Sequence, residues 1–476
     1  MFKIKTTFLG DYTSDIAMLD NVLRLKDSFD IVGRDLKFDK RNAKLYFVDG
    51  FCKDEIMVKI MSYFMKAEEK EIKNLKTTRD FANKFVPYVE TDVTAKVEDF
   101  VKSVLSGAIG MIVEGYPEAI IIDARTYPVR SVGEPDNDKV LRGPHDGFVE
   151  TLVFNTALIR RRIRDTNLTM EIHSVGKKSQ TDVVICFMKG RVNEKMLNAL
   201  RKKIDSITIN SLSMSQQSLI DCLVPKQWFN PFPKVRYTER PDAVAASILE
   251  GSMVVITDNS PAAMIIPSGI FDFLQDTNDY YMSPVIGSYM RIIRMAIFGM
   301  TMLLVPIWLL LIQNPEYIPE WLNFIKIEEP NTVPIVAQLF IVEIVIDAMR
   351  LASINTPQSL SSSFGVIGAL VLGEFAVSAG WFVAEVVLYM AFVALTNFTQ
   401  PSFELGYAFK LFRMMLIALI ALFNLWGFIA GIIIIVVEIA VTKTVTGQCY
   451  LYPLIPFNGR ALTSLLLRKP INNKNN

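Results

Sequence analysis

Histidine is scarce in this chain: only His145 and His173 occur among 476 residues. The four cysteines (Cys52, Cys186, Cys222, Cys449) lie far apart and form no CxxC, which argues against a zinc site and against a disulfide framework. No Walker-A loop, HExxH, GxSxG or GxGxxG pattern occurs. Nothing therefore calls for an enzyme, a cofactor or a metal. Charge of one sign is lacking too: 50 Lys and Arg face 49 Asp and Glu, a net +1, so no global field points to nucleic acid. The first residues, MFKIKTTFLGDYTSDIAMLD, hold no apolar run of the kind a signal peptide needs. The reading that follows puts residues 1–280 or so in the cytoplasm.

Apolar residues make up 51% of the chain and concentrate in its C-terminal third. The stretch 334–379 carries ionisable groups inside such a run. Glu343, Asp347 and Arg350 recur at i, i+4 and i+7, one helical face. A charge at the bilayer centre costs about 2.5–3.5 kcal/mol on insertion scales, so such groups face protein or water. The expectation is an intramembrane charge lock within this helix or at a subunit interface. Next come Ser359, Ser362 and Ser363, then Val366, Leu370 and Glu374, stepping so as to share a face. This face predicts a pore: serines wet its mouth, Val366 and Leu370 close it by dewetting, and Glu374 favours cations. The competing reading for each residue taken singly is packing, since Gly365, Gly368 and Gly373 allow close helix approach.

The apolar segments predict a transmembrane domain over 286–445. It holds four to five segments: 292–312 kinked near Pro306, 334–354, 358–379 spanning or re-entrant, 380–397, and 411–441 crossing with tilt. Lys443, Arg460, Arg468, Lys469 and Lys474, with no acid after Glu438, make 446–476 a basic cytoplasmic tail. With both ends inside, the number of crossings must be even; five breaks that parity.

The N-terminal half repeats itself. VVICFMKGRVNEKML (183–197) echoes KLYFVDGFCKDEIMV (44–58), matching Phe47 to Phe187, Gly50 to Gly190 and Asp54 to Glu194. ILEGSMVVITDNSPAAMIIP (248–267) echoes VLSGAIGMIVEGYPEAIIID (104–123), matching Gly107 to Gly251 and Pro117 to Pro261. The order is the same, so a duplicated α/β domain is expected, 1–140 and 141–285. Residues 1–40 read as a helical lead-in, 54–64 as a helix, 66–80 as a solvated helix face, and 109–113 with 119–123 as a hairpin. Between the repeats, 141–165 reads as an interdomain helix with Arg142 and Gly143 before it and Asp146 as N-cap. Its Arg160, Arg161, Arg162 and Arg164 either pair with acids of neighbouring domains or bind phosphate or anionic lipid. His145 reads as a capping or surface histidine.

The run RGPHDGFVETLVFNTALIRRRIRD (142–165), with DARTYPVR (123–130), SQTDVVICFM (179–188), KQWFNPFP (226–233), NPFPKVRYTERPD (230–242) and DNSPAAMIIP (258–267), resembles the A-subunit family of GerA-type spore germination receptors. The resemblance covers about residues 30–460. It implies a multi-pass protein of the endospore inner membrane, in homo-oligomeric rings (pentamers), passing monovalent cations beside a small membrane partner and other germination proteins. A non-conducting scaffold that couples receptors is the alternative. A secondary transporter would want a duplication in the membrane half, and the one visible here is in the soluble half.

Overall fold

In this computed structural model the chain is described except for residues 1–6, 27–30, 39, 50, 53, 67, 73–74, 87, 89, 126–131, 136–137, 225–228, 328–332, 356–375 and 469–476. It divides into two units, Met1–Arg130 and Ser131–Asn476. The break falls ahead of the expected 140/141 boundary because Asp138 belongs to the second unit, where its carboxylate accepts from the Thr238 hydroxyl at 2.7 Å.

The first unit holds helices α1 (Tyr12–Val22), α2 (Asp54–Phe64), α3 (Glu69–Ile72), α4 (Thr78–Phe85) and α5 (Val97–Leu105). Its strands are β1 (Ile31–Phe38), β2 (Arg41–Val48), β3 (Thr91–Thr94), β4 (Ile109–Val113) and β5 (Ala119–Ile122), an antiparallel sheet in the order β1-β2-β4-β5-β3. All five residues of β4 are buried because both faces are covered. Ile109, Met111 and Val113 pack with Phe64 and Phe81 on one side, and Ile112 with Leu19 and Phe100 on the other. Alternate side chains of a strand point to opposite faces, so a continuous apolar run is what a two-sided strand requires. Gly110 is needed there, since a Cβ would overlap the Phe100 ring.

The second repeat starts earlier than the sequence echoes showed. Its helices are α6 (Leu152–Arg162), α7 (Glu194–Asp205), α8 (Ser215–Leu223) and α9 (Pro241–Leu249). Its strands β6 (Leu168–Val175), β7 (Thr181–Met188), β8 (Arg236–Thr238), β9 (Met253–Thr257) and β10 (Ala263–Ile266) form a sheet in the order β6-β7-β9-β10-β8, that of the first. Gly107 (φ 95°) and Gly251 (φ 101°) each end the helix before the central strand, in the left-handed conformation that glycine adopts without penalty. The expected helical lead-in is thus α1 followed by strand β1. Residues 66–80 hold the short α3 and the start of α4, not one continuous helix. The expected interdomain helix is the counterpart of α1. Asp15 of α1 accepts the Leu9 and Gly10 amides, and Asn155 of α6 accepts the Val149 amide at the matching place.

Beyond the second sheet, α10 (Asn278–Tyr281) leads into α11 (Pro284–Gln313), which contains Pro306. Then follow α12 (Ile335–Asn355), α13 (Ala384–Asn397), α14 (Phe403–Val441) and α15 (Gly459–Leu466). Helix α14 is not the single tilted crossing expected. At Asn424 the backbone leaves the helical region (φ 52°, ψ −129°) and the chain doubles back. A Cβ on Gly427 would overlap the Leu419 carbonyl, and one on Gly431 would meet Leu416, as antiparallel limbs 403–423 and 425–441 demand. Phe409, Phe412 and Leu416 of one limb accordingly share a cluster with Ile435 of the other. The reversal is clasped to the end of α11: the amides of Asn314 and Asn424 bond reciprocally at 2.7 and 3.0 Å.

Candidate functional site

Helices α11 to α14 pack around Trp308, Val342, Met390 and Ile420, an apolar core with a charged cluster set into it. Helix α12 supplies Glu343 and Asp347, one turn apart. Helix α14 supplies Lys410 and Arg413, also on one face. Arg413 Nη2 donates to both Glu343 oxygens at 2.8 and 2.9 Å, and Lys410 Nζ lies 2.9 Å from Glu343 Oε1. Lys410 also pairs with Asp347. Arg413 is fully buried, and its Nη1 donates to the Thr301 carbonyl of α11 at 2.9 Å. The Thr301 hydroxyl is 2.9 Å from that of Thr396 on α13, so the polar network touches four helices. Glu343 and Lys410 have 5% of their side-chain surface exposed but Asp347 has 34%, so the network opens at the Asp347 end.

The expected lock is therefore paired differently. Asp347 does not neutralise Arg350; both acids of α12 are taken by the cations of α14. Arg350 instead lies against the rings of Phe398, Phe403 and Tyr407, its guanidinium carbon 4.9, 5.0 and 5.4 Å from their centroids. An aromatic face attracts a cation through its quadrupole, which offsets part of the cost of taking the guanidinium out of water. Sequence reading does not single out Lys410 and Arg413, because the segment 411–441 leaves Lys410 outside it and Arg413 has no acid three or four residues away. Their i, i+3 spacing was the available signal. Ser359, Ser362, Ser363, Val366, Leu370 and Glu374 lie outside the described residues.

A second cluster stands where α11 meets the second repeat. Asp279, 1% exposed, accepts from Arg294 at 2.5 and 3.0 Å, and Arg291 stands 3.7 Å away with its guanidinium over the Tyr280 ring. Arg291 and Arg294, at the start of the first apolar segment, thus tie α11 back to α10. The 142–162 motif does similar work. Gly143 (φ 117°) lies flat on Tyr281, whose ring a Cβ would meet at 2.7 Å. Tyr281 donates to Asp242, which also accepts from the buried Arg240 at 2.8 Å. Burial, then Asp242, pushes the Tyr281 phenol up to about 12. Against the desolvation that opposes it, Arg240 and Tyr281 hold the Asp242 carboxyl below its ordinary value.

Asp146 is not an N-cap; that place belongs to Thr151, and Asp146 accepts from Arg162 at 2.5 and 2.7 Å. Arg160 donates to the carbonyls of Asp165 and Leu168, while Arg142 and Arg161 are exposed. The arginines of α6 that bond among the described residues do so close in sequence, not to another domain. Exposed His145 lies 3.1 Å from Glu134.

Among the described residues two helical stretches, Pro284–Gln313 and Phe403–Val441 with both its limbs, are long and apolar enough to cross a membrane, with mean hydropathies of 2.4 and 2.6. Residues 19–476 match the family described as Bacillus/Clostridium GerA spore germination protein. The chain belongs to the GerA spore germination protein family. It is 36% identical to stage V sporulation protein AF of Bacillus subtilis (strain 168) over 94% of this chain and 90% of that one. Spore germination protein KA of the same organism is 27% identical over 93% and 82%. Among solved structures, the N-terminal domain of the A subunit of the Bacillus megaterium spore germinant receptor GerK3 matches at 22% identity. That match has a TM-score of 0.21 and covers 55% of this chain and 96% of that one.

Proposed function

We propose that this GerA-family chain is a membrane subunit of a spore germination ion channel, releasing ions from the dormant spore core or amplifying their release. The observation that carries the reading is the Glu343–Lys410–Asp347–Arg413 network: four charges enclosed among apolar helices, in a family of spore germination proteins. Charges inside a membrane domain mark ion paths or the gates beside them. The subunit sits in the inner membrane of the endospore, with both sheet repeats facing the core. The reversal at Asn424 supports a multi-pass topology with an even count. Segments α11 and α12, the 358–379 run, α13 and the two limbs of α14 make six crossings, so the basic tail returns to the side of the repeats. Exposed Tyr317, Trp321 and Trp426, near the end of α11 and the reversal, suit the aromatic belt of the opposite interface.

The path itself follows the face of Ser359, Ser362, Ser363, Val366, Leu370 and Glu374, repeated around a homo-oligomeric ring, a pentamer, so that Glu374 forms a carboxylate ring for monovalent cations. A small membrane partner and other germination proteins are its associates.

The second reading is a non-conducting scaffold that couples germination receptors. The mutual saturation of Glu343 by Lys410 and Arg413 favours it, because a saturated pair can be purely structural. Spores separate the two. Val366→Ser gives an assembled subunit that leaks monovalent cations in developing spores if the face conducts. Under the scaffold reading cation retention is normal and receptor coupling alone is lost.

A further inference from the structure

Where the second limb of α14 ends, apolar side chains come into the open again. Residues 442–451 lie along the second repeat, the Ile270 amide donating to the Tyr450 carbonyl at 3.0 Å. Beyond them Tyr452, Leu454, Ile455, Pro456 and Phe457 are exposed, Phe457 by 75%. We propose that this tip, residues 452–457, dips into the bilayer leaflet beside the second repeat, with Arg460 on an anionic lipid headgroup. The contact rests on the membrane reading above and adds an attachment outside the spanning helices.

Helix α15 sets the depth. Arg291 donates to the Ser464 carbonyl at 2.9 Å, and the Arg468 amide to the Ser288 hydroxyl at 2.9 Å. The helix therefore lies against the turn of α11 at which the apolar segment 292–312 begins, the level of the interface. A segment that enters lipid must satisfy its own backbone. The Leu454 and Ile455 amides both donate to the Leu451 carbonyl, at 2.7 and 3.2 Å, and the Asn458 amide to the Pro453 carbonyl at 2.9 Å. Pro453 and Pro456 have no N–H to satisfy. Polarity returns at Asn458, whose side chain accepts the Ala461 amide at 3.2 Å and caps α15.

Charge names the leaflet. The chain after Glu438 holds Lys443, Arg460, Arg468, Lys469 and Lys474 and no acid. Arg460, exposed three residues beyond Phe457, has no carboxylate partner among the described residues. An apolar tip with a cation at its rim matches an anionic leaflet, acyl chains on one side and phosphate on the other. Val445, between the tip and α14, is buried in the core of the second repeat, so a tip held in lipid also fixes that sheet's distance from the bilayer.

The test is bromolipid quenching of the full chain in nanodiscs. Phe457→Trp puts an indole at the tip, read as its emission above that of the parent chain. Brominated phosphatidylglycerol, a minor lipid among phosphatidylcholine, is expected to quench this added emission more than brominated phosphatidylcholine does at the same fraction. Arg460→Gln in the Phe457→Trp chain, with unchanged size and unfolding temperature, should cut that preference about fivefold, the effect of one cation near an anionic surface. Added emission that neither lipid quenches, in discs where the parent chain's own tryptophans are quenched, would overturn the contact and leave the membrane reading standing. If the tip then also resists iodide in the water, a protein covers it instead. Parent tryptophans untouched by both lipids would overturn the two readings together. Equal quenching by the two lipids would overturn the anionic headgroup.

Discussion

On α2 of the first repeat, Tyr63 is half exposed; at the matching place on α7 of the second, Lys203 Nζ donates to the carbonyls of Leu223 and Val445 at 2.9 and 2.8 Å. The two sheets share strand order, helix placement and the glycine ahead of the central strand, and the second is bonded to the chain that follows the apolar helices. Asn230 donates to Thr442 at 2.6 Å and the Tyr450 hydroxyl to the Pro233 carbonyl at 2.7 Å. Val445 sits in the core of the second repeat, among Leu197, Leu200 and Met253. At the other end, Asp279 fixes the start of α11. One scaffold thus occurs twice, and the second carries the side chains that bond the chain after the apolar helices.

The largest expected effect is in what that base carries. Arg413→Ala leaves Glu343 enclosed with a single cation and should cost about 3–5 kcal/mol. Hydrogen exchange should speed in α11 to α14 while β4 of the first unit keeps its protection. Exchanging the paired polar residues sharpens the comparison next. Asn155, fully buried, gives its Nδ2 to the Val149 carbonyl at 2.5 Å, so Asn155→Asp puts a carboxylate where a donor is needed and should cost about 2–3 kcal/mol. Asp15 accepts one amide on each oxygen, so Asp15→Asn sets an NH2 against one of those N–H groups and should likewise cost about 1–3 kcal/mol, read by denaturant unfolding of each variant. Lys203→Ala strands two carbonyls and should cost about 1–3 kcal/mol, with faster proteolysis after Thr442. The matching Tyr63→Ala should stay within about 0.5 kcal/mol.

Much of this was legible in sequence for physical reasons. Buried strands β4 and β9 read as apolar runs, and Gly107 and Gly251 mark helix ends that only a left-handed residue completes. The counterpart roles of α1 and α6 were hidden because the two helices share a fold position and almost no side chains; Asp15 and Asn155 do one job with different chemistry. In the helices, the face of Glu343 and Asp347 was visible from spacing, but their partners are brought by tertiary packing from residues 410 and 413, which no local pattern joins to 343. The reversal at Asn424 is not legible in the sequence, because an asparagine and two glycines in an apolar run do not say whether the chain bends or doubles back.

The smallest expected effect is a pH dependence peculiar to the second sheet. Arg201 bonds both oxygens of Glu171 at 2.6 and 2.8 Å, and this bond, against desolvation, holds the Glu171 carboxyl below its ordinary value. A depressed carboxyl adds stability above the unfolded pKa of about 4.3 that is lost as pH falls through the folded value. The first repeat carries Arg34 and Met61 at these places, so no such pair forms there. Acidification from about pH 5 to 3 should therefore remove under about 1 kcal/mol more from the wild type than from Arg201→Ala, measured by thermal unfolding.

The account rests most on conduction. Purified full-length protein in liposomes loaded with a potassium-sensitive dye should pass monovalent cations and exclude chloride. Glu343→Gln, assembled to the same size, should alter that flux. Cation-tight vesicles, with the protein inserted and oligomeric and with wild type and variant alike, would contradict it.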